Sequence, residues 1–109
     1  MNPSVNRVSV VLTTIAAKTD AVALARALVE ERLAACVNIL PVMTSVYRWQ
    51  GHIEQEVEQQ LLIKTASDRV PALEHRLREL HPYDVPEFVV LGAGEFGAAY
   101  LDWVQQSVG

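Results

Sequence analysis

CVNILPVMTSVYRWQGHIEQEVEQQLLIKT, Cys36 to Thr65, is the stretch on which the fold turns. β-Branched and aromatic residues lead up to Trp49, Gln50-Gly51 supplies a two-residue turn, and the chain returns in a second long extended run. Pro41 has no backbone N–H for a ladder, so it marks a bulge or bend in the first arm. In the second arm alternation puts Glu54, Glu56 and Glu58 on one face and Ile53, Val57 and Leu61 on the other. Thirty residues thus predict one long hairpin.

Upstream, VSVVLTTI (Val8 to Ile15) is apolar on both alternating faces, as a central strand covered on both sides requires. KTDAVALARALVEERLAA follows as a helix, with Thr19 or Asp20 as N-cap and Leu24, Ala25, Leu28, Val29 and Leu33 as its broad apolar face. Arg32 falls near the edge of that face, its stem on the sheet and its head meeting carboxylates or helix-end carbonyls. Downstream, a second helix starts at Ser67 or Asp68, tolerates Pro71 in its first turn, and lines up Val70, Leu73, Leu77 and Leu80 until Pro82 ends it. EFVVLGAG is expected to be the last buried strand, and AAYLDWVQQ a short terminal helix carrying Tyr100, Leu101, Trp103 and Val104.

The order is β-α-β-β-α-β plus a helix: an α+β, ferredoxin-like plan in a single domain, residues 1–109, with both main helices on one face of an antiparallel sheet. The strands are nevertheless apolar on both faces, and the terminal helix is too short to cover the second. Another copy of the chain is the expected cover, with Tyr47 and Trp49, on one face beside the hairpin turn, as its aromatic anchors.

Composition removes several classes of function. Half the residues are apolar and 20% charged, without low-complexity tracts, so the chain is globular rather than disordered. A net charge of −4 with singly scattered Lys and Arg argues against nucleic-acid binding. The apolar run near the start is too short for a signal segment or membrane span, so a cytoplasmic location is expected. The single cysteine, Cys36, cannot form an internal disulfide; its AACVN setting reads as a small buried hydrophobe.

Four segments, ERLAACVNI (Glu31 to Ile39), SVYRWQGHIE (Ser45 to Glu54), LLIKT (Leu61 to Thr65) and HPYDVPE (His81 to Glu87), resemble the CutA family of divalent-cation tolerance proteins, a likeness running from about Val8 to Val104. The resemblance implies a PII-like fold, a tight trimer joined through the long hairpins, and a link to copper and other divalent metals. It also implies copper ligands, a cysteine in the first strand and two successive histidines before the Pro-Tyr pair. Here those positions hold Thr13, Leu80 and His81.

HPYDVPE is the strongest candidate site. His81 suits copper or zinc and Glu87 follows a rigid turn, while the plainer reading has Pro82 and Pro86 stopping a helix and starting a strand, with a residual polar pocket of His81, Tyr83 and Glu87. With two of three expected ligands replaced, copper at His81 should be weak. His52 and His75 read as surface residues, and Glu54, Glu56 and Glu58 as a solubilising hairpin edge rather than a cation ladder.

An enzyme of acylphosphatase type would share the fold order, but the loop after the first strand, TTIAAKTD, has no glycine and only Lys18 to hold a phosphate. No Ser-His-Asp set or Cys-His pair stands at a suggestive spacing, and GAGEFG (Gly92 to Gly97) reads as a strand-to-helix turn. The expectation is therefore a non-enzymatic trimer that senses a metal or small ligand between subunits, with a purely structural or partner-binding trimer as the alternative.

Overall fold

The computed structural model describes residues 8–92 and 95–109. Strand β1 (Val8–Ala16) lies inside the sheet. Its nine residues pair antiparallel with β4 (His52–Ala66), from Val8 opposite Ala66 to Ala16 opposite Glu58, and its other edge takes β5 (Val89–Gly92). The hairpin's first arm is two strands on one edge of β4, as Pro41 requires: β2 (Cys36–Ile39) against Leu61–Lys64 and β3 (Met43–Trp49) against His52–Glu58. At the tip, Gln50 and Gly51 have φ of 48° and 83°, the paired positive values of a type I′ turn. Beyond Glu58 the hairpin leaves β1 behind, and the molecule measures 47 × 25 × 23 Å.

Helix α1 (Ala21–Glu30) starts where Asp20 accepts the Ala23 N–H through Oδ1 at 3.0 Å. It ends five residues before the expected Ala35. Arg32 takes φ 59°, the Arg32 N–H donates to the Val29 carbonyl at 3.1 Å and the Leu33 N–H to the Leu28 carbonyl at 3.0 Å, the two bonds of a Schellman cap. The cap turns Leu33 into the core beside Leu28 and leaves Val29 on the surface. Arg32 is thus past the helix, where its Nη1 donates to the Gly109 carbonyl at 3.3 Å.

Helix α2 (Val70–Leu80) follows a 3-10 turn over Ser67–Arg69. Neither Ser67 nor Asp68 caps it with a side chain; Ser67 Oγ is instead 2.7 Å from Ser9 Oγ on β1. Pro71 does occupy the first turn. Helix α3 (Ala98–Val108) completes the chain.

The sheet's two faces have different fates. Val11 and Ile15 of β1, with Leu61 and Ile63 of β4, are sealed against Leu24 and Leu28 of α1 and Leu73 and Leu77 of α2. On the opposite face α3 covers one end only, where Val104 and Val108 meet Val8 and Ala66. The rest of that face stays open, with Val10, Leu12 and Leu62 half-buried and Val89 and Leu91 43% and 47% exposed. The last strand is therefore an exposed edge, not the buried strand expected, because no helix lies over it; residues 93 and 94 of GAGEFG lie outside the described residues. Among the described residues no helix is long and apolar enough to cross a membrane.

Candidate functional site

The HPYDVPE segment forms the link from α2 to β5, and polar bonds tie it to the sheet. Pro82 disfavours helical backbone at the residue before it, and His81 accordingly turns extended (φ −80°, ψ 134°) as the C-cap of α2, its N–H on the Leu77 carbonyl at 2.8 Å. The imidazole is 6% exposed. Its Nδ1 accepts the Tyr83 N–H at 3.1 Å, so the proton must sit on Nε2, which donates to the Thr14 carbonyl at 2.6 Å. The Tyr83 ring lies 4.7 Å from the imidazole, and its hydroxyl donates to Glu58 Oε2 at 2.7 Å. Glu87 Oε2 accepts from Gln60 Nε2 at 2.8 Å, and the same amide donates to the Thr13 carbonyl at 2.7 Å.

These bonds fix the segment against β4, and a cavity of about 630 Å³ lies between it and β3. Its floor is the open face of the sheet, with Glu58 and Gln60 from β4 and Met43, Tyr47 and Trp49 from β3; residues 83–87 form its wall. Of the residues singled out in the sequence, Tyr83, Glu87, Tyr47 and Trp49 come together here. His81 does not line the cavity; it pins the segment from behind.

Glu58 has a different place from the one its pattern suggests. Alternation groups it with Glu54 and Glu56, yet it is only 5% exposed, because it is the β4 residue that faces Ala16 at the end of β1. Only the register of two strands far apart in sequence could have revealed this. Gln60, which no motif marks, joins β1 to the 81–87 segment. Burial, the bond to Glu58 and the Glu58 charge push the Tyr83 phenol well above its ordinary pKa; partial burial, then Glu56, Glu58 and Glu54, raise that of Tyr47.

The residues at the implied copper positions do not fit that metal. Both His81 nitrogens are engaged, Leu80 offers only an alkyl group, and Thr13 is fully buried with a hydroxyl oxygen that has no partner among the described residues. A soft or borderline ion needs thiolate or free imidazole. Among the described residues no three His, Cys, Asp or Glu side chains converge as a metal site. Cys36 is half-buried rather than buried, and His52 and His75 are exposed.

A family model described as CutA1 divalent ion tolerance protein matches residues 9–107. The chain is 50% identical over 100 residues to the divalent-cation tolerance protein CutA of Thermus thermophilus, covering 92% of this chain and 97% of that one. A solved structure of the Thermus thermophilus protein superposes with a TM-score of 0.88 at 49% identity, over 94% of this chain and 99% of the other. CutA from Xylella fastidiosa gives a TM-score of 0.90 at 42% identity, with 94% and 99% covered. The mouse protein CutA is 49% identical over 83 residues, 76% of this chain, which spans 47% of that protein's length.

Proposed function

The chain belongs to the CutA1 divalent ion tolerance family, and from that membership we propose a non-catalytic homotrimer of the cytoplasm that serves cation tolerance by sensing a cation in the cavity between hairpin and 83–87 segment. The observation that carries the reading is where the cavity opens: on the uncovered sheet face, beside Tyr47 and Trp49, where a neighbouring copy would complete it. Val89 and Leu91 on that face, and Val46, Ile53 and Val57 on the hairpin, are all exposed in the single chain. Burying a side chain of this kind fully is worth about 1.5–3 kcal/mol, so a symmetric partner is favoured over solvent. Copper at His81 plays at most a weak part, since its binding would have to displace a hydrogen bond already made.

Light scattering at micromolar concentration tests the assembly, with three chains expected. Trp49→Ala should weaken association roughly thirtyfold, the effect of about 2 kcal/mol at a central aromatic anchor. Calorimetry with copper should show weak uptake that a chelator reverses. A stable folded monomer, or tight stoichiometric copper that survives His81→Ala, would overturn the reading.

A further inference from the structure

The cavity combines a carboxylate at its floor with an apolar wall, and the two together select a kind of ligand. Glu58 is 5% exposed, and its one hydrogen bond among the described residues, from the Tyr83 hydroxyl to Oε2, leaves Oε1 without a protein donor and open to the cavity that the residue lines. A carboxylate largely removed from water is costly unless a cation faces it. No lysine, arginine or histidine is among the cavity's lining residues, whereas Asp84 and Glu87 add further carboxylates to its wall. The lining itself supplies no counter-charge, so a cation brought to Oε1 would meet an unopposed carboxylate.

The rest of the lining is wrong for a bare metal ion. Ca²⁺ and similar hard ions need six or more converging oxygens, and softer ions need thiolate or imidazole; the lining has no Cys or His, among the described residues no three His, Cys, Asp or Glu side chains converge, and Glu87 is already committed to Gln60. A space of about 630 Å³ is of the size that holds a small organic molecule. Trp49 and Tyr47 bring aromatic rings, whose faces attract cations, to the lining, and Met43, Val85 and Pro86 bring hydrocarbon. We propose that this cavity binds an organic ammonium ion, its charged nitrogen at Glu58 and its hydrocarbon body against Trp49, Tyr47 and Met43. The raised phenol pKa values of Tyr83 and Tyr47, to which Glu58 contributes, fit the same negative field.

The inference rests on the reading of this cavity as the functional site, and because Trp49 and Tyr47 also serve there as anchors for a neighbouring copy, the oligomeric state is measured by light scattering in the same samples. The probes are phenethylamine, its uncharged analogue 2-phenylethanol, and CuCl₂ and MgCl₂ alone, titrated into the full chain at pH 7 by calorimetry and by ligand-observed NMR. Phenethylamine should bind at least tenfold more tightly than the alcohol. Glu58→Gln, whose amide oxygen still accepts from Tyr83, should erase that preference while leaving alcohol binding and the near-UV spectrum unchanged. If Glu58→Gln does not fold, Tyr47→Leu serves in its place and should weaken the amine more than the alcohol. Equal binding of amine and alcohol, an unchanged preference in a folded variant, or copper or magnesium displacing the amine at Glu58 would overturn the ammonium assignment. The last result would leave a cation-sensing cavity standing; a monomer that still prefers the amine would remove the trimer and keep the ligand.

Discussion

His81 accepts from one backbone group and donates to another, so replacing it leaves two polar partners behind. In His81→Ala the Tyr83 N–H and the Thr14 carbonyl lose their bonds, and each unsatisfied buried group costs about 1–3 kcal/mol. The expected loss is about 2–4 kcal/mol in denaturant unfolding, the same with and without chelator; a loss below about 1 kcal/mol, or one that chelation of the wild type reproduces, would count against the pinning role. The helix stop was legible, since Pro82 announces it. The occupation of both ring nitrogens was not, because Thr14 lies 67 residues away and contributes only its main chain. Glu58 departs from its pattern for a related reason: alternation assigns a face, but only strand register shows where β1 ends and shields that face. Tyr83 and Glu87 were legible as members of a polar turn, whereas Gln60, which bonds to Glu87, had no local signal.

The elements were recovered best where one residue type enforces a geometry. Pro41 breaks the hairpin arm, Asp20 caps α1, and Gly51 permits the turn. The end of α1 has no signal in the sequence because its left-handed position is held by Arg32 rather than glycine; burial of Leu33 against Leu28 compensates the strain, a tertiary effect without a local motif. The hairpin tip holds a second such residue. Gln50 sits at φ 48°, where a side chain without a compensating local bond is disfavoured, and asparagine is the residue that type I′ turns prefer there. Gln50→Asn is therefore expected to stabilise the protein by about 0.5–1 kcal/mol, read as a higher melting temperature at fixed protein concentration. No gain, or a loss, would show that the tip is strained for assembly rather than by default.

At the level of the whole molecule, three tyrosines on three different parts share one electrical tendency. Burial first, then nearby acidic groups, raises the pKa of Tyr83 on the α2–β5 link and of Tyr47 on the hairpin; for Tyr100 on α3 burial leads and negative charge on Cys36 adds to it. A phenol whose folded pKa is raised contributes no penalty below its unfolded value near 10. Above about pH 10 the unfolded chain loses these protons first, so stability falls as pH rises through the folded values. Denaturant midpoints should hold steady up to about pH 9.5 and drop beyond it, with phenolate absorbance lagging that of the unfolded chain. A midpoint that rises above pH 10, or phenols that titrate together with the unfolded chain, would contradict this. The α+β plan and the uncovered face were legible because both follow from strand patterning; the exposure of β5 was not, since apolar residues alone do not reveal whether a helix covers them. Strand order also carries a lesson about time. β1 precedes both of its neighbours in the chain, with Val8 waiting for Ala66 and Ser9 for Gly92. On the ribosome this β-branched strand thus emerges long before either mate exists, which makes closure of the sheet late and folding slow compared with a helical bundle of this size.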